Sequence, residues 1–199
     1  MISRQLVIGL IVMVAVVVIM GLYVGHMRHR VTDLQPTQTD SRPLTPPVSG
    51  PTESVTLYVA YDDPGTIRAT TTKVPLSSAR QQRAEQLLRA LMAIYLDHAS
   101  QHPLAAGSEV KSVYLVDPGV AVIDVNAAFA DGHRSGILVE ELTVASMIQT
   151  LSANIQGISR VKILIDGKTR DTLAGHIDLS SPYETSSVNQ LVQQLQSGF

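Results

Sequence analysis

There is no cysteine in the 199 residues. That absence excludes a disulfide framework, a lipid-modified cysteine, thiolate chemistry and every zinc site built on cysteine. An excess of positive charge is missing too. Beyond Arg30 the chain carries 12 Lys and Arg against 17 Asp and Glu, a net charge of about −5 with histidine neutral. No nucleic-acid footprint is therefore expected, and contacts with protein, glycan or a second copy are. Over residues 6–25, LVIGLIVMVAVVVIMGLYVG, charge is absent altogether.

What stands in place of charge over 6–25 is an apolar run whose helix would be about 30 Å long, the thickness of a hydrocarbon core. A single transmembrane helix is expected there, behind a short segment 1–5. A cleaved signal peptide is the competing reading, but its apolar region is shorter and ends at small residues, whereas here His26-Met-Arg-His-Arg30 follows directly. Arg4 on one side and Arg28 with Arg30 on the other leave the orientation undecided by charge. Residues 26–54 then read as a Pro/Thr/Ser-rich spacer with no apolar period, unable to offset its ordering entropy by burial.

Alternation begins at 55–61, where Val55, Leu57, Val59 and Tyr61 share one strand face. Asp62-Asp-Pro-Gly65 is turn chemistry and 66–74 is rich in β-branched residues, which together predict a hairpin. Ser78 with Gln81 has capping-box spacing, and Ala84, Leu87, Leu88, Leu91 and Tyr95 follow at helical intervals. Arg80, Arg83 and Arg89 fall outside that stripe as solvated charges. Strands at 110–116 and 120–125 flank Asp117-Pro-Gly119. A second helix is predicted over 137–155, with Val144, Ile148, Leu151 and Ile155 as its stripe and Gly157 as its C′ residue. A strand at 161–165 meets Asp166-Gly167, a primed-turn pair, so 168–173 is expected to pair back. In the tail 184–199, Val188, Leu191, Val192 and Leu195 have helical spacing, and so short a helix is expected to be ordered only if it packs on something. The predicted class is α+β: a mainly antiparallel sheet with two helices packed on one face, over 55–183.

The run VYLVDPGVAVIDVNAAFADG, a helix, then ISRVKILIDGKTRDTLAGHIDLSSPY resembles the GerMN domain, the sporulation and germination domain of the GerM type. The matching positions are Val122, Asp124 and Phe129, then Val161, Ile165, Asp166, Gly167, Lys168, Leu173, Gly175, His176, Asp178 and Pro182. The resemblance spans 55–183. It implies a fold similar to the ring-building motifs of secretion-like envelope assemblies, an interaction module outside the cytoplasmic membrane of a bacterium, and no established catalytic residue. The partners it implies are envelope proteins or self-association, with peptidoglycan as a further candidate; the membrane is met through 6–25, and no cofactor is expected.

Candidate chemistry centres on His176. With Asp178 and His133 it offers three potential metal ligands, but none has helix-pair spacing, and Pro103 ends the helix before His98 and His102 could form one. Ser135 or Ser180 with His176 and Asp178 has the residue types of a hydrolase acting on peptidoglycan, yet neither serine lies in a nucleophile elbow. Glu140 and Glu141 are adjacent on a helix, about 100° apart, and are expected as solvated acids near its N-terminus. The residues favour structural roles: His176 pinning its segment to the sheet, Gly175 allowing a restricted backbone angle, Phe129 plugging the core, and Asp124 bonding nearby amides.

Overall fold

The computed structural model describes residues 50–116 and 118–197. The expected transmembrane helix at 6–25, most of the spacer, and Asp117 of the predicted turn lie outside them. Among the described residues no helix is long and apolar enough to cross a membrane.

Strands β1 (Thr52–Tyr61) and β2 (Thr66–Pro75) form the predicted hairpin, in register from Thr52 opposite Pro75 to Tyr61 opposite Thr66. The strand starts at Thr52, so the last residues assigned to the spacer belong to the sheet. Val55, Leu57 and Val59 point into the core, as their alternation requires. Helix α1 (Arg80–Tyr95) buries Ala84, Leu87, Leu88, Leu91 and Tyr95, together with Met92. The Ser78–Gln81 box does not form. The helix begins one residue later, with Ala79 as an uncapped N-cap, and Ser77 bonds Gln82 instead, at 2.9 Å.

A second, mixed sheet has the order β3 (Val110–Val116), β4 (Val120–Val125), β5 (Arg160–Ile165), β6 (Tyr183–Glu184). β3–β4 and β5–β6 are antiparallel; β4–β5 is parallel, which corrects the mainly antiparallel expectation. A parallel pair needs a crossover, and two helices supply it: α2 (Ala127–Asp131), which periodicity did not predict, and α3 (Ile137–Asn154). Asn126 caps α2 by accepting from the Phe129 N–H at 3.0 Å.

Helix α3 is more than a stripe. Every residue of 142–151 is buried, including Thr143, Ser146, Gln149 and Thr150. It lies against β1, α1 and the C-terminal helix α4 (Thr185–Ser197), so a two-helix layer on one sheet face does not describe the domain. Its polar groups close the edge of the hairpin: Thr56 N–H donates to Asn154 Oδ1 at 3.2 Å, Tyr58 N–H to Thr150 Oγ1 at 3.0 Å, and Ala60 N–H to the Tyr95 hydroxyl of α1 at 2.9 Å. The helix ends one residue early, with Ile155 extended, so Gly157 is not its C′ residue.

One further expectation is corrected. Asp166 (φ 49°) and Gly167 (φ 72°) do form the primed turn, but the returning strand is reduced to one bridge between Ile165 and Lys168. Beyond it the chain is drawn away, Arg170 bonding Asp131 at 2.6 Å and Leu173 entering the core. The tail is a helix because it finds a partner: Val188, Val192 and Leu195 are buried, and α4 packs on α3.

Candidate functional site

The sequence-selected residues fall into two clusters. In the first, the Asp124 carboxylate on β4 accepts from the Gly167 N–H at 2.7 Å. Asp166 accepts from the Lys111 ammonium at 3.0 Å and from the Ala127 N–H at 3.1 Å, and the lysine holds its carboxyl below the usual range. A bulge in β3 makes Lys111 the extra residue, and its side chain reaches the turn. The turn thereby ties β3, β4 and the start of α2 together. Phe129, 1% exposed, sits in α2 with its ring 6.1 Å from that of His133.

The second cluster is built on Glu140. It is not the solvated acid predicted from its place in the first turn of α3: it is fully buried. One oxygen accepts from the N–H groups of Ala174 (3.0 Å), His176 (3.1 Å) and Ile177 (3.0 Å). The other accepts from His176 Nδ1 at 2.8 Å and Gly136 N–H at 3.2 Å. Burial pushes its pKa up, but the Ile177, His176, Ala174 and Gly136 bonds outweigh burial and bring it to about 2. His176 is thus held to the N-terminus of α3 rather than to the sheet. Gly175 has φ 116°, an angle side chains rarely adopt, and it brings three nearby amides onto one carboxylate.

The candidate chemistry does not assemble at His176. Ser135 Oγ lies 3.3 Å from Nδ1, the same nitrogen that bonds Glu140. A relay needs the hydroxyl and the carboxylate on opposite nitrogens of the ring. Asp178 is turned to Ser180, accepting its N–H at 2.7 Å, and its carbonyl accepts from the Tyr183 hydroxyl; Pro182 is exposed just before β6. His133 has both nitrogens committed, to the Arg134 carbonyl (2.7 Å) and Thr143 Oγ1 (2.8 Å). Among the described residues no group of three His, Cys, Asp or Glu is placed to hold a metal ion.

Sequence reasoning missed a third, buried cluster. Asp62 Oδ1 lies 2.6 Å from His102 Nδ1, and His102 Nε2 lies 2.7 Å from Thr143 Oγ1. This is the carboxylate–imidazole–hydroxyl order of an acyl-transfer triad. It is sealed, because His102 and Thr143 have no exposed surface and the Thr143 hydroxyl also faces His133 Nε2 and the Val139 carbonyl (3.0 Å). Burial pushes the His102 pKa down to about 4, with repulsion from His133 acting the same way; burial also lowers that of His133. With both rings neutral, the Nδ1–H groups serve Asp62 and the Arg134 carbonyl. One threonine proton is then left for three acceptors. Arg134 also pairs with Asp62. The cluster is a brace: it joins the loops after β1, α1 and α2 to the middle of the domain.

Residues 56–171, more than half of the chain, match the family model Germane, described as sporulation and spore germination. The chain belongs to the Germane family. Its described residues form a GerMN-type domain, and the match takes in Asp124, Phe129, Asp166 and Gly167 but stops before Gly175. Among solved structures, the tandem GerMN domains of the sporulation protein GerM from Bacillus subtilis align at 22% identity and TM-score 0.52, over 69% of this chain and 48% of that one. This chain therefore spans about half of the tandem structure. The first GerMN domain of the same protein aligns at 20% identity and TM-score 0.47, over 65% and 94%. A Clostridium perfringens chain assigned as a lipoprotein aligns at 18% and 0.46, over 72% and 93%. No curated protein matches the sequence significantly.

Proposed function

We propose that this Germane-family protein is anchored in the cytoplasmic membrane of a bacterium by residues 6–25 and holds its GerMN domain outside, as a non-catalytic binding or scaffolding module of the cell envelope. Envelope proteins or a second copy are its partners, with peptidoglycan nearby, and a role in sporulation or germination is the setting the family suggests. One observation carries the non-catalytic part. The acid–base groups of the two histidine clusters, Glu140, His176, His102 and His133, are each bonded to neighbouring elements of the fold, and the triad-ordered set among them is shut off from solvent. The apolar, uncharged run at 6–25 supports the anchor.

The test uses the absence of cysteine. Ser49→Cys in the full chain, treated on intact cells with a membrane-impermeant maleimide, is expected to label. Protection until lysis, with the lysed control labelled, removes the extracytoplasmic reading. Crosslinked cells are expected to yield a specific envelope protein or a homo-oligomer bound to the domain; recovery of neither counts against the binding module.

A further inference from the structure

Strand edges invite other strands, and this domain closes two of its own with side chains. Asn154, Thr150 and Tyr95 take three outward N–H groups of β1, and Glu85 Oε1 stands 3.5 Å from the outward Val113 N–H of β3. β2 has no such cover. Because Thr56, Tyr58 and Ala60 turn their N–H groups away from β2, the hydrogen-bonded pairs of the hairpin are Val55–Thr72, Leu57–Thr70, Val59–Arg68 and Tyr61–Thr66. Alternation then leaves Ile67, Ala69, Thr71 and Lys73 with peptide N–H and C=O aimed away from β1. Among the described residues nothing bonds them.

The strand is also uncovered where it matters. Arg68, Ala69, Thr70 and Thr71 are exposed in one run, so neither face is screened there, while Ile67 and Val74 bury the two ends. Three successive threonines favour extended backbone. The only charges on the strand are two cations, Arg68 and Lys73, which alternation puts on opposite faces. Arg68 rests 4.8 Å from the centroid of the Tyr61 ring; neither cation is paired with a carboxylate among the described residues.

We propose that β2 is a docking edge for an extended, acidic segment of a partner protein, which joins the hairpin as a third strand and sets carboxylates beside Arg68 and Lys73. A second copy of this chain fits less well, since its β2 carries no carboxylate to set beside them. The inference deepens the binding-module reading and rests on it for what the module is for.

The experiment is fluorescence anisotropy of a labelled peptide alternating glutamate with valine and threonine, titrated with the full chain in detergent micelles. A peptide carrying lysine for glutamate is the control. Binding of the acidic peptide is expected, weakening as salt rises, with the lysine peptide at least tenfold weaker. Thr71→Pro removes an outward N–H without touching the β1 ladder and is expected to weaken binding tenfold or more. Hydrogen exchange on the wild-type chain keeps the test independent of that variant: saturation with peptide should slow the amides of Ile67, Ala69, Thr71 and Lys73. No binding, equal binding of the lysine peptide, unweakened binding by folded Thr71→Pro, or unchanged exchange at those four amides overturns the proposal. So does self-association that Thr71→Pro abolishes, which assigns the edge to a second copy. If Thr71→Pro keeps the crosslinked envelope partner, the module stands and this edge is not its site.

Discussion

A carboxylate buried in the first turn of a helix is costly unless each lone pair is answered, and Glu140 is answered by four amides and an imidazole. Glu140→Ala leaves those donors without an acceptor and is expected to cost about 3–5 kcal/mol, read by chemical denaturation. A loss under about 1 kcal/mol would mean that water replaces it freely. The acid side carries its own sign. With a folded pKa near 2 against an ordinary 4.5, Glu140 binds a proton more readily when the chain is unfolded. Its stabilisation, about 3 kcal/mol, is fully present above pH 4.5 and is lost as the pH falls toward 2. His102 acts earlier: buried neutral with a pKa of about 4, it must take up a proton as the domain unfolds between pH 6.5 and 4. Stability is expected to fall by about 1.4 kcal/mol per pH unit across that window as the pH drops, and His102→Gln should flatten the slope. At this scale the sequence is legible only locally. Asp166-Gly167 announces its turn through its own backbone preference. Apart from Gly136, the partners of Glu140 stand 34 to 37 positions along the chain, and the side chains bonded to His102 40 and 41, so no local pattern reveals that they are buried together.

Elements were read best where one period decided them. The alternation of Val55, Leu57 and Val59 and the stripe of α1 survive because each has a single face to bury. Three other features depend on what lies opposite. The β4–β5 ladder is parallel because the crossover through α2 and α3 returns the chain to the same end of the sheet. The strand expected at 168–173 is displaced because that part of β5's edge meets another segment, where Lys162 Nζ bonds the carbonyls of Leu179 (2.5 Å) and Ser180 (2.6 Å). α2 is too short to display a period. The polar positions of α3 are the clearest case: Thr150 and Asn154 lie off the apolar stripe of Val144, Ile148, Leu151 and Ile155, yet they finish the hydrogen bonding of β1. Asn154→Ala removes the acceptor of the Thr56 N–H and a donor to the Thr56 carbonyl. A loss of about 1–2 kcal/mol is expected, with faster amide exchange confined to Thr56 and its neighbours in β1. Uniformly faster exchange would point instead to global destabilisation.

For the whole molecule, the family match ends at residue 171, but the fold does not. Glu140 fastens 174–177, and α4 lays Val188, Val192 and Leu195 into the core. A chain stopped after Glu184 is expected to lose at least about 4 kcal/mol, since each buried side chain contributes about 1.5–3 kcal/mol; a truncated chain melting like the full one would make α4 an ornament. The position of α4 bears on timing. Protein is made amino-terminus first, and α3, whose middle turns are buried on every side, acquires its last neighbour from the thirteen residues of α4. While those residues are still inside the ribosome or a translocation channel, a face of the central helix stays wet and the segment meant for Glu140 has only just emerged. The domain is therefore expected to close late and all at once, only when those residues have emerged, and a clipped tail would leave an open, sticky intermediate.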